Sequence, residues 1–104
     1  MNDLIEWRAD ILNALGQPTR LKIIECLRDG ERSVCDISSA IGEEQYPVHR
    51  HLNLMLAAGI LSRSREGLKI FYAIKHPEVL SIADLAAEMM LREAGLPLPW
   101  QEEH

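Results

Sequence analysis

The chain lacks the marks of several functional classes. Its two cysteines, Cys26 and Cys35, are too few for a secreted disulfide scaffold, and they form neither a CxxC pair nor a Cys/His cluster of the structural-zinc kind. No apolar run approaches the length of a membrane span, and the opening MNDLIEWRAD has neither a basic n-region nor an apolar h-region, so a cytoplasmic setting without a membrane partner is expected. A general basic excess is missing too. The formal net charge of −5 excludes a protein that coats nucleic acid without regard to sequence, because that mode needs a positive surface throughout. No nucleophile elbow, phosphate loop or paired-carboxylate signature lies near His49, His51, His76 or His104, so catalysis is not expected. Internal repeats and low-complexity tracts are absent.

What is present fits one domain of 104 residues, with a modest core and a need for a partner to cover any helix left apolar. The positive charge is concentrated. Between Gln45 and Lys75 the cations Arg50, Arg63, Arg65, Lys69 and Lys75 stand against a single acid, Glu66, whereas the first sixteen residues and the C-terminal tail are acidic. Such an asymmetry orients a domain on DNA and keeps its nonspecific affinity low.

The basic stretch has a readable pattern. Val48, Leu52, Met55 and Leu56 recur at i, i+4, i+7 and i+8, one stripe of an amphipathic helix. Gln45, Tyr46, His49, Arg50 and Asn53 occupy the other face, with side chains able to reach base edges and phosphates in a major groove. Pro47 confines the helix start to Glu44 or Gln45, and Ala57-Ala58-Gly59 ends it. Beyond it, Ile60 to Arg65 alternates with period two, Glu66-Gly67 supplies a turn, and Leu68 to Ile74 is rich in β-branched and aromatic residues. That is a hairpin, with Arg63, Arg65 and Lys69 around its tip.

The flanking elements follow from the same rules. Asn2 to Leu15 carries Leu4, Ile5, Ile11, Leu12 and Leu15 at helical spacing, with Trp7 to one side, and reads either as a dimerisation arm or as a helix packed on its own domain. Thr19 is placed as the N-cap of a second helix bearing Leu21, Ile23, Ile24 and Leu27, with Cys26 among them as a small buried hydrophobe, and Asp29-Gly30 closes it. Ser33 caps a short helix from Val34 to Ile41 whose Val34, Ile37 and Ile41 face inward, and Gly42 turns the chain into the helix described above. Two short helices about a glycine turn are a helix-turn-helix pattern. After His76-Pro77, a helix from Glu78 to Arg92 is apolar over more than one stripe, which calls for a second subunit.

Four stretches carry a family resemblance: ALGQPTRLKIIECL, SVCDISSAIG, PVHRHLNLMLAAGIL and REGLKIFYAI. In this order they resemble the ArsR/SmtB family of bacterial winged helix-turn-helix repressors, from about Leu4 to about Arg92. The resemblance implies a mainly α fold with a two-stranded β-wing, a dimer built on the first and last helices, and a double-stranded DNA operator. Residues 1–94 then form the DNA-binding domain with its terminal dimerisation helices, and 95–104 a Pro-containing tail that is extended or mobile. By residue match, Gln45, Tyr46, His49, Arg50 and Asn53 approach bases and phosphates, while Arg63, Arg65 and Lys69 hold the wing to the backbone. His51, where the family often has a histidine, is a helix-packing or phosphate-contacting residue.

The chain departs from the family's sensors. Arsenic-responsive members carry a Cys-Val-Cys pair where Ser33-Val34-Cys35 stands, and a three-sulfur site needs more thiols than this chain has. Zinc-responsive members use acids and histidines on the last helix, where Met89 and Arg92 replace the distal pair, so no metal site or other cofactor is assigned. The candidate sensor thiols are Cys35, at a helix N-terminus that favours thiolate, and Cys26. The release signal is then a soft metal, a metalloid or an oxidant. A second class stays open, a winged-helix module that binds protein rather than DNA, suggested by Glu43-Glu44 before the second helix of the motif and by His49 in place of the usual serine.

Overall fold

A computed structural model describes residues 2–98, in the order α1 (Asn2–Leu15), α2 (Pro18–Cys26), β1 (Arg32–Ser33), α3 (Val34–Ile41), α4 (Gln45–Ala57), β2 (Leu61–Glu66), β3 (Lys69–Ile74) and α5 (Glu78–Ala94). The expected elements form, and a short strand joins them. β1 pairs antiparallel with β3, Arg32 opposite Tyr72 and Ser33 opposite Phe71, so the wing belongs to a three-stranded sheet of order β1-β3-β2. Two residues carry no period, which is why β1 does not register in sequence.

The core lies where α2, α3 and α4 meet the base of the sheet. Ile23, Ile24, Ile37, Val48, Leu52 and Met55 are fully enclosed, and Tyr72 contributes the largest buried side chain. The predicted α4 stripe is therefore the face that packs. Leu21 departs from expectation, since it remains 39% exposed on α2.

Caps decide the joints. Pro18 opens α2 and the side chain of Gln17, not Thr19, accepts from the Arg20 amide at 3.0 Å. Proline is suited to that first position, so the cap shifts back onto the residue before it. Ser33 caps α3 as expected, accepting from the Asp36 amide at 3.2 Å. Gly42 ends α3 at φ +72°, where both its own amide and that of Glu43 donate to the Ser38 carbonyl.

The hairpin turn consists of Gly67 and Leu68, because Glu66 pairs with Lys69. Gly67 has φ +65° and Leu68 a negative φ, the signature of a type II′ turn. The strand expected from Leu68 thus starts one residue later. Beyond α5, Gly95 terminates the helix at φ +73°, and in the tail Leu96 is exposed while Leu98 is 8% exposed. Residues 99–104 lie outside the described ones.

Both terminal helices keep apolar side chains in solvent. α1 exposes Leu4, Ile5, Trp7 and Leu12, and α5 exposes Leu85, Met89 and Met90. Arg28, in the turn just past α2, joins α5 to α2 by donating to Asp84 at 2.8 and 3.3 Å while holding Glu25 of that helix. Among the described residues no helix is long and apolar enough to cross a membrane.

Candidate nucleic-acid interface

The α3–α4 turn is tied to α2 before the helix begins. Glu43 accepts from the Thr19 hydroxyl at 2.8 Å and from Lys22 at 3.3 Å. The Thr19 hydrogen bond first, and then Lys22, hold its carboxyl below the usual glutamate range. One acid of the Glu43-Glu44 pair is therefore spent inside the protein. Thr19 and Glu43 were not legible as a pair, because the contact spans two helices and 24 residues of chain.

From that turn α4 projects five exposed side chains, Gln45, Tyr46, His49, Arg50 and Asn53. At about 100° per residue they fall within a sector of about 140°, separate from that of Val48, Leu52 and Met55. Tyr46 is 76% exposed. The face offers amide, phenol, imidazole and guanidinium groups, a set that can donate to guanine or phosphate and pair with adenine.

His51 does not share that face. It stands three residues after Val48 and four before Met55, so the helix turns it to the flank of the buried stripe, where it is half-buried. Its Nδ1 lies 3.1 Å from an Arg20 guanidinium nitrogen. Burial, and then the adjacent Arg20 charge, push the imidazole below its ordinary range, so the neutral ring accepts from Arg20. Of the two readings of His51, this placement fits the helix-packing one.

Arg20 is the positioning residue that sequence reasoning missed. Only 8% exposed, it also donates from Nε to the Ala14 carbonyl at 2.8 Å and from its other terminal nitrogen to the Asn13 carbonyl at 3.0 Å. Those carbonyls end α1, where the helix leaves acceptors unpaired and the dipole favours a cation. One guanidinium thus joins the end of α1 to the side of α4.

The wing is two-faced. Cross-strand partners share a face, so Arg63 opposite Tyr72 and Arg65 opposite Ile70 lie on one side, and Glu66 opposite Lys69 on the other. The three wing cations, expected as one set, are divided between the two surfaces of the hairpin. All are exposed.

The thiols occupy different settings. Cys35 is exposed on α3, and its Sγ accepts from the Gln45 amide nitrogen at 3.2 Å. Cys26, expected within the core, sits at its margin, half-buried beside an open groove lined by Leu21, Arg32 and Ile41. Burial pushes its thiol upward, against the opposing effect of Arg32. Both cysteines are free, and no three His, Cys, Asp or Glu residues cluster as a metal site among the described residues. Asp84, a potential ligand on α5, is engaged by Arg28.

Known proteins share this arrangement. Residues 17–63 match the model of the bacterial regulatory protein arsR family. An uncharacterized HTH-type transcriptional regulator of Methanocaldococcus jannaschii is 36% identical over 85 residues, covering 81% of this chain and 96% of that one. The solution structure of a homodimeric winged helix-turn-helix DNA-binding domain from Mycobacterium bovis superposes with a TM-score of 0.80 at 26% identity, covering 88% of each chain. The transcriptional repressor PagR of Bacillus anthracis gives 0.73 at 32% identity, over 83% of this chain and 99% of that one. None of these lends support to a protein-interaction module without DNA binding. The chain belongs to the ArsR family of winged helix-turn-helix, DNA-binding transcriptional regulators.

Proposed function

We propose that the protein is a homodimeric repressor that reads an operator with Gln45, Tyr46, His49, Arg50 and Asn53 in the major groove and grips the flanking backbone with Arg63, Arg65 and Lys69. The observation that carries this reading is the α4 face itself. Its five exposed hydrogen-bonding side chains stand beside a basic wing on a chain of net charge −5. Homodimerisation is supported by the apolar residues exposed on α1 and α5 and by the homodimeric Mycobacterium bovis domain; repression, by PagR. Two α4 helices then meet successive major grooves about one DNA turn apart on an imperfect palindrome. The test is a mobility shift with a fragment from immediately upstream of the protein's own coding region, repeated over a range of salt. Binding by two chains that weakens steeply with salt is expected, and salt-independent or absent binding contradicts it.

Release acts through Cys35, because the amide of Gln45, a member of the reading face, rests on its sulfur. A soft cation that displaces the thiol proton to solvent occupies that sulfur and takes away the acceptor. Operator binding measured with reduced protein, oxidised protein and protein titrated with mercuric ion, alongside Cys35→Ser, tests this. Identical responses from parent and variant in every condition rule Cys35 out.

A further inference from the structure

Leu68 is the most solvent-exposed of the large apolar residues described, at 100%, and it forms half of the two-residue turn at the apex of the wing. Tyr46, next at 76%, lies on the α4 reading face. The two most exposed large apolar side chains of the described residues therefore sit on the elements that face DNA. Around Leu68 the hairpin carries Arg63 and Arg65 on one surface and, on the other, Lys69 directly opposite Glu66. The net positive charge of the tip thus lies on the Arg63 and Arg65 surface, which suits an apolar wedge entering a groove with those guanidiniums along one phosphate rail. The type II′ turn, with φ +65° at Gly67, leaves nothing but the leucine side chain at the apex.

We propose that Leu68 is a minor-groove wedge and a specificity-determining residue, selecting A·T over G·C base pairs beneath the wing. The proposal rests on the reading above, in which α4 occupies the adjacent major groove. An apolar side chain at the floor of the minor groove meets only acceptors and sugar carbons at A·T pairs, but the exocyclic amino group of guanine at G·C pairs. That amino group both blocks the leucine and loses its water to it, so discrimination follows from the absence of a polar partner on Leu68. Arg63 and Arg65 supply affinity without sequence information.

The probe is a duplex selected by the wild-type dimer from a random-sequence pool, then altered at the base pairs footprinted beneath the wing. Inosine·cytosine presents the minor-groove edge of A·T with the major-groove edge of G·C, which separates the two grooves. Wild type is expected to bind A·T and I·C versions alike and the G·C version about five- to tenfold more weakly. Leu68→Ser, at a site touching nothing else, binds all three within about twofold and keeps the parent's salt dependence, since no charge has changed. Arg65→Ala, the contrast, weakens all three together. Full flank discrimination in Leu68→Ser, or an I·C duplex that behaves as G·C, overturns the wedge while leaving operator binding intact. A pool from which wild type selects no sequence overturns the underlying reading and the wedge with it.

Discussion

A single guanidinium shows how residue-scale chemistry sets the position of the reading helix. Arg20 is nearly buried, yet among the described residues it has no carboxylate partner; two carbonyls at the end of α1 and the neutral His51 ring satisfy it. This makes His51 a pH-sensitive joint. Its folded-state value lies below the ordinary histidine range, so the unfolded chain takes up the proton first as the solution is acidified. The contribution is complete above the ordinary value near 6.5 and is lost as pH falls from there toward the folded value. Melting temperatures between pH 7.5 and 5.5 are accordingly expected to drop more for wild type than for His51→Gln; parallel curves contradict the joint. Glu43, also depressed, acts with the same sign but only in more acid solution. Arg20→Ala leaves the Ala14 carbonyl and His51 without this donor, while the Asn13 carbonyl keeps the Gly16 amide at 3.2 Å, and is expected to cost about 2–3 kcal/mol in denaturant titration. The stripe Val48–Leu52–Met55 was legible because helical period alone determines it. The partnership with Arg20, 31 residues away, was not, because side-chain pairing across helices leaves no local pattern.

At the scale of elements, the fold was legible wherever period and punctuation agree. The bounds of α1 and α3, the start of α4 and the hairpin followed from apolar spacing and the glycines at 42, 59 and 67. β1 was not, since two residues acquire strand geometry only by pairing with β3. The Gln17 cap shows the same limit, as a glutamine can cap only where the backbone aims it. Gly42 makes the sharpest test of the helix-turn-helix joint. An added Cβ there meets nothing within 4 Å, so any cost of Gly42→Ala is conformational. At φ +72° that is about 1–2 kcal/mol, read as a lowered unfolding midpoint; no change means the turn does not need the left-handed residue. On the wing, Arg63→Ala and Arg65→Ala are each expected to reduce the slope of log affinity against log salt by about one, uniformly across sequences. An unchanged slope removes that residue from the backbone contacts.

On the scale of the whole molecule, charge and apolar surface are segregated. The acidic first helix carries Leu4, Ile5, Trp7 and Leu12 outward, α5 carries Leu85, Met89 and Met90 outward, and the stretch from Gln45 to Lys75, with α4 and the wing, is net positive. Covering the first set with a second copy brings two of the second set onto one duplex. Met89→Glu is expected to shift sedimentation from dimer toward monomer and to weaken DNA binding with it, while the monomer stays folded; a variant that remains dimeric moves the interface elsewhere. The resemblance in four sequence stretches had already indicated the family, but the contact behind the proposed Cys35 switch was not legible, since the link from Cys35 to Gln45 exists only in three dimensions.

The central claim is that α4 reads DNA through its exposed face, and Arg50 tests it most directly because its side chain is exposed and appears in no hydrogen bond or ion pair among the described residues. Titration of the upstream fragment with wild type and Arg50→Ala, under identical salt and with melting temperatures measured in parallel, gives the comparison. The account predicts unchanged melting and at least about a tenfold loss of affinity, corresponding to one lost base or phosphate contact of about 1–3 kcal/mol. Equal affinity for the two proteins contradicts it.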